Sequence, residues 1–549
     1  MTFKTTPYAH QLTAFERFKD AKYFALFMDM GTGKTKVTID IAAYKWEKGT
    51  INAMLLIAPN NVHTQWIKEQ LPLHCSVPYT PFVWSSGLVG RGYYRSQLEK
   101  FIAIPSSTLK VFAINVEAFQ SETVIPFVAK FVKSHECLIV VDEATRIKNE
   151  GAKRTKVIHR LEKYGCRAIL TGTPTAKSPF DLWSQMEFLK AEYFKCNFFI
   201  FQHRYGVMAK NKNYKTGQVY TACISEEDFY KVKNYIDKYK LQKGGLLLPK
   251  DYEIIGKIHG TSVKNVMFIE KQEQYAKYKR LDELKALIAA DTFSVKKADC
   301  LDLPPKVYEH IYVDMSKEQK EIYSSLVKDL MANYKDRELT VMNKISLTMR
   351  LMQVVGGFFP FVEPEEHRNA NGVYYKYKAA GEPIGEKNVK LEALLADLEE
   401  VDLENTKVII WCHFVSELKY LYSVLSKLYK CCLYYGGTAD SDRKLIIEDF
   451  KAGVYDIFIG NAATAGFGLN LQNATLQYYF SNSFRTEDRL QAEDRSHRIG
   501  VKSTVVYKDI IVKGTVDERV YNNIAIGRDL NDYFKSVTLE DLLLEVEDD

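Results

Sequence analysis

No stretch of the chain approaches the ~20 apolar residues that a membrane span needs, which argues against membrane association. Met1 to Asp20 is polar and amphipathic and lacks an apolar signal core, so nothing points to secretion. Cysteine is sparse: nine residues, only Cys431 and Cys432 adjacent, and no Cys-x-x-Cys pair. That speaks against a disulfide frame or a zinc site and fits buried thiols in a reducing compartment. The expected location is therefore cytoplasmic for a bacterial or phage protein, and nuclear for a eukaryotic one. Low-complexity tracts and short-period repeats are missing. A strong charge of one sign is missing too: 75 basic against 69 acidic residues leave a net +6, mild for a nucleic-acid binder.

What is present describes a globular chain. Its 549 residues are too many for one ordinary core and suggest two to four domains. Short apolar runs alternate with amphipathic stretches from Met1 to about Leu189, with strands expected at Tyr23–Phe27, Ala53–Ala58, Val111–Ile114, Leu138–Val141 and Ala168–Leu170. The alternation returns at Val408–Trp411, Cys431–Tyr435, Ile457–Gly460, Thr475–Tyr479 and Val505–Ile511. Strand–helix alternation means parallel sheets with helices on both faces, here twice over. Between the two lies a different region. Ala209 to Lys250 holds nine lysines and four acidic residues with six interleaved aromatics. This reads either as a helical insertion with packed aromatics and solvated lysines, or as a surface for a phosphate backbone. Gly356 to Glu386, rich in Gly, Pro and Tyr, reads as a loop. The last ten residues are acidic and read as a solvated tail, with masking of a basic groove as the lesser alternative.

Chemistry first shows at Met28-Asp29-Met30-Gly31-Thr32-Gly33-Lys34-Thr35, between an apolar strand and the helical run Val37, Ile39, Ile41, Ala42 and Ala43. Strand, Gly-rich turn, Lys-Thr and helix is the phosphate-cradling P-loop arrangement, although Met28 replaces the usual first glycine. Backbone N–H groups from Met30 to Thr35 would close on phosphates, Lys34 would reach the β/γ-phosphates, and the Thr35 hydroxyl would ligate Mg²⁺. The second site is Leu138-Ile139-Val140-Val141-Asp142-Glu143. An apolar strand ending in two carboxylates puts both at the ligand-binding edge of a parallel sheet. Asp142 suits the Mg²⁺ shell, and Glu143 suits orientation or deprotonation of an attacking water.

Taken with the segments that follow, the chain resembles a superfamily two helicase-type ATPase of the Swi/Snf branch over most of residues 3 to 530. Pro7-Tyr8-Ala9-His10-Gln11 resembles the Q motif, in which Gln11 would bond the adenine edge. Leu55 to Asn61, continuing to Gln65-Trp66, is similar to motif Ia, with Pro59 and Asn60 at a DNA phosphate and Trp66 in the core. Asp142 to Asn149 is similar to the family's DEAH-R-IKN segment, with Thr145 in place of His. Leu170-Thr171-Gly172-Thr173-Pro174 resembles motif III, and Lys296 to Lys306 the segment joining the two lobes. Val408 to Phe414 is similar to motif IV; His413 lacks a Cys or His partner at ligand spacing, so metal is not its role. Thr464-Ala465-Gly466-Phe467-Gly468-Leu469-Asn470 resembles motif V, and Gln491 to Gly500 motif VI, with Arg495 and Arg498 three apart on one face if helical.

The resemblance implies two tandem RecA-like α/β lobes with doubly wound parallel sheets, and a mainly helical insertion in or after the first. It implies ATP with Mg²⁺ as cofactors, Gly466 and Gly468 near the phosphates, and Arg495 and Arg498 as arginine fingers. Thr171, Gly172, His413, Thr464 and Asn470 would join Pro59 and Asn60 in touching nucleic acid. The expected layout is lobe one at 1–200, the insertion at 201–290, a connector and loop at 291–385, lobe two at 386–535 and a tail at 536–549. In such a motor, cycles of ATP binding and hydrolysis close and reopen the lobes. The expected partner is duplex DNA, gripped by its backbone without regard to sequence. The alternatives are a strand-separating or branch-migrating helicase, and an ATP-switched clamp without turnover. The compact length suggests a bacterial or phage form.

Overall fold

In the computed structural model the apolar runs become two separate all-parallel sheets. Residues 2–525 are described apart from 61, 104–106, 176–177, 213–217, 302, 335–340, 370–371, 466–468, 470, 484, 499–500 and 502. The chain divides into two units, one of Met1–Asp29 and Lys34–Lys296, the other of Met30–Gly33 and Lys297–Asp549.

The first sheet collects β1 (Tyr23–Met28), β2 (Ala53–Ala58), β3 (Tyr79–Val83), β4 (Leu109–Asn115), β5 (Cys137–Asp142) and β6 (Cys166–Leu170). Its central strands are buried on both faces, which is why they read as unbroken apolar runs rather than alternating ones. Ala25 and Phe27 enter one core layer while Phe24, Leu26 and Met28 enter the other. β3 escaped the sequence reading because it is a partly exposed edge strand carrying Pro81, a residue that edges tolerate.

An insertion follows, made of the antiparallel hairpin β7 (Met208–Lys212) and β8 (Val219–Cys223) and the helices Glu226–Gln242, Pro249–Ile258, Val263–Glu270 and Leu281–Ile288. It has its own small core around Phe229, Val232, Ile236, Ile255 and Ile269. Several of its lysines are matched by carboxylates, among them Lys233 with Asp237 at 3.6 Å, Lys240 with Glu270 at 2.9 Å and Lys243 with Asp251 at 3.5 Å. These belong to the packing reading of the region. The chain then returns to the first sheet through β9 (Thr292–Val295), parallel to β1, giving the order β3-β4-β2-β5-β6-β1-β9.

The second sheet begins with β10 (Lys306–Val313). The span expected to be connector and loop thus contributes a strand to each sheet, neither visible as an apolar run. The loop expected at Gly356 to Glu386 is also corrected: β11 (Phe358–Asn369) and β12 (Gly372–Pro383) form an antiparallel ribbon. The β-forming run Val373-Tyr374-Tyr375 outweighs the Gly and Pro residues, several of which stand at the strand ends. β13 (Lys407–Cys412), β14 (Cys431–Tyr434), β15 (Ile457–Asn461), β16 (Ala474–Tyr479) and β17 (Val505–Val512) complete the sheet in the order β10-β17-β16-β13-β15-β14. Among the described residues no helix is long and apolar enough to cross a membrane.

Candidate active site

β1 ends at Met28 and the helix Lys34–Glu47 follows after a five-residue turn. Gly31 and Gly33 take φ of +77° and +92°, a region that a side chain would strain. Lys34 is buried, and its Nζ donates to Met28 O at 2.7 Å and to Asp29 O at 3.2 Å. The turn is therefore wrapped on its own ammonium. Thr32 is fully buried and Thr35 half-buried at the helix start.

Asp142 closes β5. With β6 lying between β5 and β1, and all three parallel, Asp142 and the turn share one sheet edge about two strand spacings, ~10 Å, apart. The indole N–H of Trp66 donates to Asp142 Oδ2 at 2.8 Å, and the Glu143 N–H donates to Oδ1 at 2.9 Å. Burial pushes the Asp142 carboxyl up; Trp66, the Lys34 charge and the Glu143 N–H pull it back. Glu143 itself adopts a left-handed conformation, φ 51° and ψ 57°, as it opens the short turn Ala144–Ile147. A non-glycine residue there costs roughly 1–3 kcal/mol, and such strain gathers at functional sites.

This donor set fits Mg²⁺, which keeps several waters and takes one or two carboxylates plus phosphate oxygens. A carboxylate pushed up by burial is one that a cation stabilises, and the Thr35 hydroxyl supplies a neutral oxygen on the same edge.

Other expected residues fall in more structural places. Gln11 is buried, and its Oε1 accepts the Tyr8 N–H at 3.0 Å, closing the first turn of the helix Ala9–Phe18. Pro59 is buried and Asn60 exposed just past β2. Thr171 has no exposed surface and its Oγ1 accepts the Thr173 N–H at 3.1 Å, so its side chain frames the loop, while Gly172 is partly exposed. Lys148 reaches Asp181 at 3.3 Å, and Ser184 Oγ donates to Ile147 O at 2.5 Å. These contacts tie the turn after β5 to the helix Asp181–Leu189.

In the second unit the helix Thr486–Glu493 stops before either arginine, which corrects the one-face helical expectation. Arg495 bonds back to Ala492 O in a tighter turn, and Arg498 follows in a bend. Arg495 Nη1 donates to Leu469 O at 3.3 Å and its carbonyl accepts the Leu471 N–H at 3.1 Å, so the motif VI turn is stitched to the motif V segment. Gly466, Gly468 and Asn470 lie outside the described residues, as does the Thr464 side chain. The joining segment is anchored to motif VI: Lys297 pairs with Asp494 at 2.7 Å, and Lys306 with Glu493 at 2.9 Å. Burial lowers His413 to about 4, so it is neutral near pH 7 and offers a hydrogen bond rather than a charge.

Two features went unread in the sequence. Trp66 is core, as expected, but also a ligand of Asp142. Arg489 is buried between Asp509, at 2.6 and 2.9 Å, and Glu493, at 2.8 Å, with Tyr479 against its guanidinium. The signal for the second was present: an Arg and Glu four apart, and Asp509 beside Lys508 inside the largely apolar β17.

The sequence matches the family model "SNF2-related domain" over residues 24–356 and "Helicase conserved C-terminal domain" over 386–500. It is 25% identical over 511 residues to human "SWI/SNF-related matrix-associated actin-dependent regulator of chromatin subfamily A member 1", covering 91% of this chain and 40% of that protein. It is 23% identical over 496 residues to "ATP-dependent helicase fft1" of Schizosaccharomyces pombe, covering 90% of this chain and 48% of that one. The chain thus spans less than half the length of these relatives. Among solved structures, the Sulfolobus solfataricus SWI2/SNF2 ATPase core in complex with dsDNA is 21% identical, with 99% and 98% of the two chains covered and a TM-score of 0.37.

Proposed function

The chain belongs to the SNF2-related family of helicase superfamily two, and on that premise we propose that it hydrolyses ATP to move along duplex DNA. The observation that carries this reading is the meeting of Lys34, Thr35 and the Asp142–Glu143 pair on one edge of a parallel sheet. In the proposed step a water attacks the γ-phosphorus in line as its bond to the β–γ bridging oxygen breaks, giving ADP and inorganic phosphate. Glu143 orients that water and accepts its proton, and Lys34 leaves its turn carbonyls for the phosphate oxygens. Thr35 and Asp142 would hold Mg²⁺, which would supply charge neutralisation to the phosphates. Arg495 and Arg498 act as arginine fingers, groups worth about 10³–10⁵ in rate. Pro59, Asn60, Gly172, His413, Thr464 and Asn470 are proposed at the nucleic-acid backbone, with Gly466 and Gly468 near the nucleotide. Relatives titled chromatin regulator and helicase favour DNA as the track.

The test is ATP turnover with no nucleic acid, single strands, duplex, forked DNA or RNA, each at two salt concentrations. Duplex stimulation that falls with salt is expected. Preference for single strands or forks would replace the translocase with an unwinding helicase. Lys34→Ala and Glu143→Gln should each abolish turnover while DNA binding persists; turnover retained in either overturns the site.

A further inference from the structure

The insertion carries an open pocket of about 660 Å³ that plays no part in the hydrolytic site. Its walls are the hairpin β7–β8, the junction of the helices Pro249–Ile258 and Val263–Glu270, and the segment running to Lys279. They are cross-linked by backbone and buried side chains. Lys210 N–H donates to Gly260 O at 3.1 Å, and Lys279 N–H to Tyr205 O at 2.8 Å. Asn265, itself 3% exposed, donates from Nδ2 to Met208 O at 3.0 Å. A cavity braced in this way keeps its shape without a ligand, which lowers the ordering cost of filling it.

The lining is cationic. Lys210, Lys257 and Lys279 face the space with His203, against the single carboxylate of Glu253. None of the three lysines makes an ion pair among the described residues, in contrast to Lys233, Lys240 and Lys243 of the same insertion. Lys279 Nζ has one short bond, to the neutral Asn265 Oδ1 at 2.6 Å. Burial, reinforced by the Arg280 and Lys264 charges, lowers its ammonium to about 8. His203 Nε2 is buried with no hydrogen-bond partner among the described residues. Lys279 is half-buried and Lys210 and Lys257 are exposed; cations that converge on one space in this way are what an oxyanion stabilises, and Ser262 and Val263 at the start of the helix Val263–Glu270 line the same space.

We propose that this cavity binds a phosphate-bearing ligand through Lys210, Lys257 and Lys279. A phosphate arriving on a nucleic-acid backbone and one arriving free make the same contacts, so the experiment separates the two sources. The probes are pyrophosphate and a short DNA duplex, titrated into the full chain carrying Lys34→Ala, with chelator present, so that the P-loop contributes little. Binding of at least one probe is expected. It should weaken at least tenfold on adding Lys210→Gln and Lys257→Gln, both exposed positions that leave the fold intact. If duplex affinity falls and its salt slope shrinks by about one per lysine lost, the phosphate comes from the backbone. If pyrophosphate binding alone falls, the phosphate is free. Lys279→Gln should add to either effect. No binding of either probe to the Lys34→Ala chain, or unchanged binding after the lysine substitutions, overturns the proposal. These outcomes are independent of turnover, so they stand apart from the test of the motor.

Discussion

Trp66 and Asp142 are 76 residues apart in sequence and joined by a hydrogen bond of 2.8 Å between the indole N–H and Oδ2. The bond links the segment after β2 to the end of β5, and it comes from a turn of π-helix, Trp66–Gln70, a form that recurs at functional sites. Trp66→Phe preserves the ring in the core and deletes the donor. A hydrogen bond to a charged group is worth about 1.5–3 kcal/mol, so turnover should fall about tenfold or more and half-maximal Mg²⁺ should rise. Circular dichroism should be unchanged. Equal turnover and equal Mg²⁺ dependence in the variant would reduce Trp66 to packing.

Glu143 pairs a chemical role with a strained backbone. At φ 51° a Cβ costs about 1–2 kcal/mol, which glycine does not incur. Glu143→Gly should therefore be at least as stable as Glu143→Ala in urea, by about 1 kcal/mol, though glycine is ordinarily the costlier residue. Both should lack turnover. A glycine variant clearly less stable than the alanine one would show that the left-handed turn is not a source of strain.

Much of the fold was legible because parallel strands buried on both faces leave unbroken apolar runs such as Leu138 to Val141. The strands that escaped, β3, β9 and β10, lie at sheet edges and carry mixed burial, so no periodicity marks them. The ribbon β11–β12 was hidden by Gly and Pro at its ends. At the site, Lys34 and Asp142 announced themselves through local motifs, but Trp66 could not: its partner is distant in sequence, and a lone tryptophan reads as core. The end of the helix before Arg495 was equally silent, since no glycine or proline precedes it.

Glu417 should make stability depend on pH. It is fully buried, accepts the Phe414 N–H at 3.2 Å and the Ser481 hydroxyl, and Ser481 in turn accepts the His413 N–H at 2.7 Å. Burial raises its carboxyl from 4.5 to about 7, with Ser481, the Lys390 charge and the Phe414 N–H opposing. The folded state therefore binds the proton more tightly than the unfolded chain. Its contribution is fully present below about pH 4.5 and is lost as pH rises through about 7, a change of about 3 kcal/mol. Glu417→Gln should flatten the melting temperature between about pH 5 and pH 8 and raise it at the upper end. Parallel profiles for the two proteins would mean that this carboxyl does not titrate in the range.

Arg489 should be the most sensitive position in the second unit. Its guanidinium is 4% exposed and grips Asp509, itself 0% exposed, through two bonds, with a third to Glu493 and a fourth to Asn482. Burial works against the Glu493 charge, but Arg489 and Lys306 outweigh it and hold that carboxyl below its ordinary range. Glu493 also receives Lys306 and Tyr308 of β10, so the arginine sits at the hub that joins the helix Thr486–Glu493 to β17 and β10. Arg489→Met keeps the stem and removes the charge, stranding Asp509 in the core. Breaking a buried pair from one side costs about 3–5 kcal/mol, because the remaining charge loses its partner without regaining water. The urea midpoint of the second unit should drop accordingly. Adding Asp509→Leu removes the stranded charge, and replacing both ions with apolar groups is often neutral or better, so the double variant should recover much of the loss. Recovery would show that the cost lies in the orphaned carboxylate; a double variant as unstable as Arg489→Met would place it in the lost geometry around Glu493 and Tyr479. A single variant within about 1 kcal/mol of the parent would remove Arg489 as the hub.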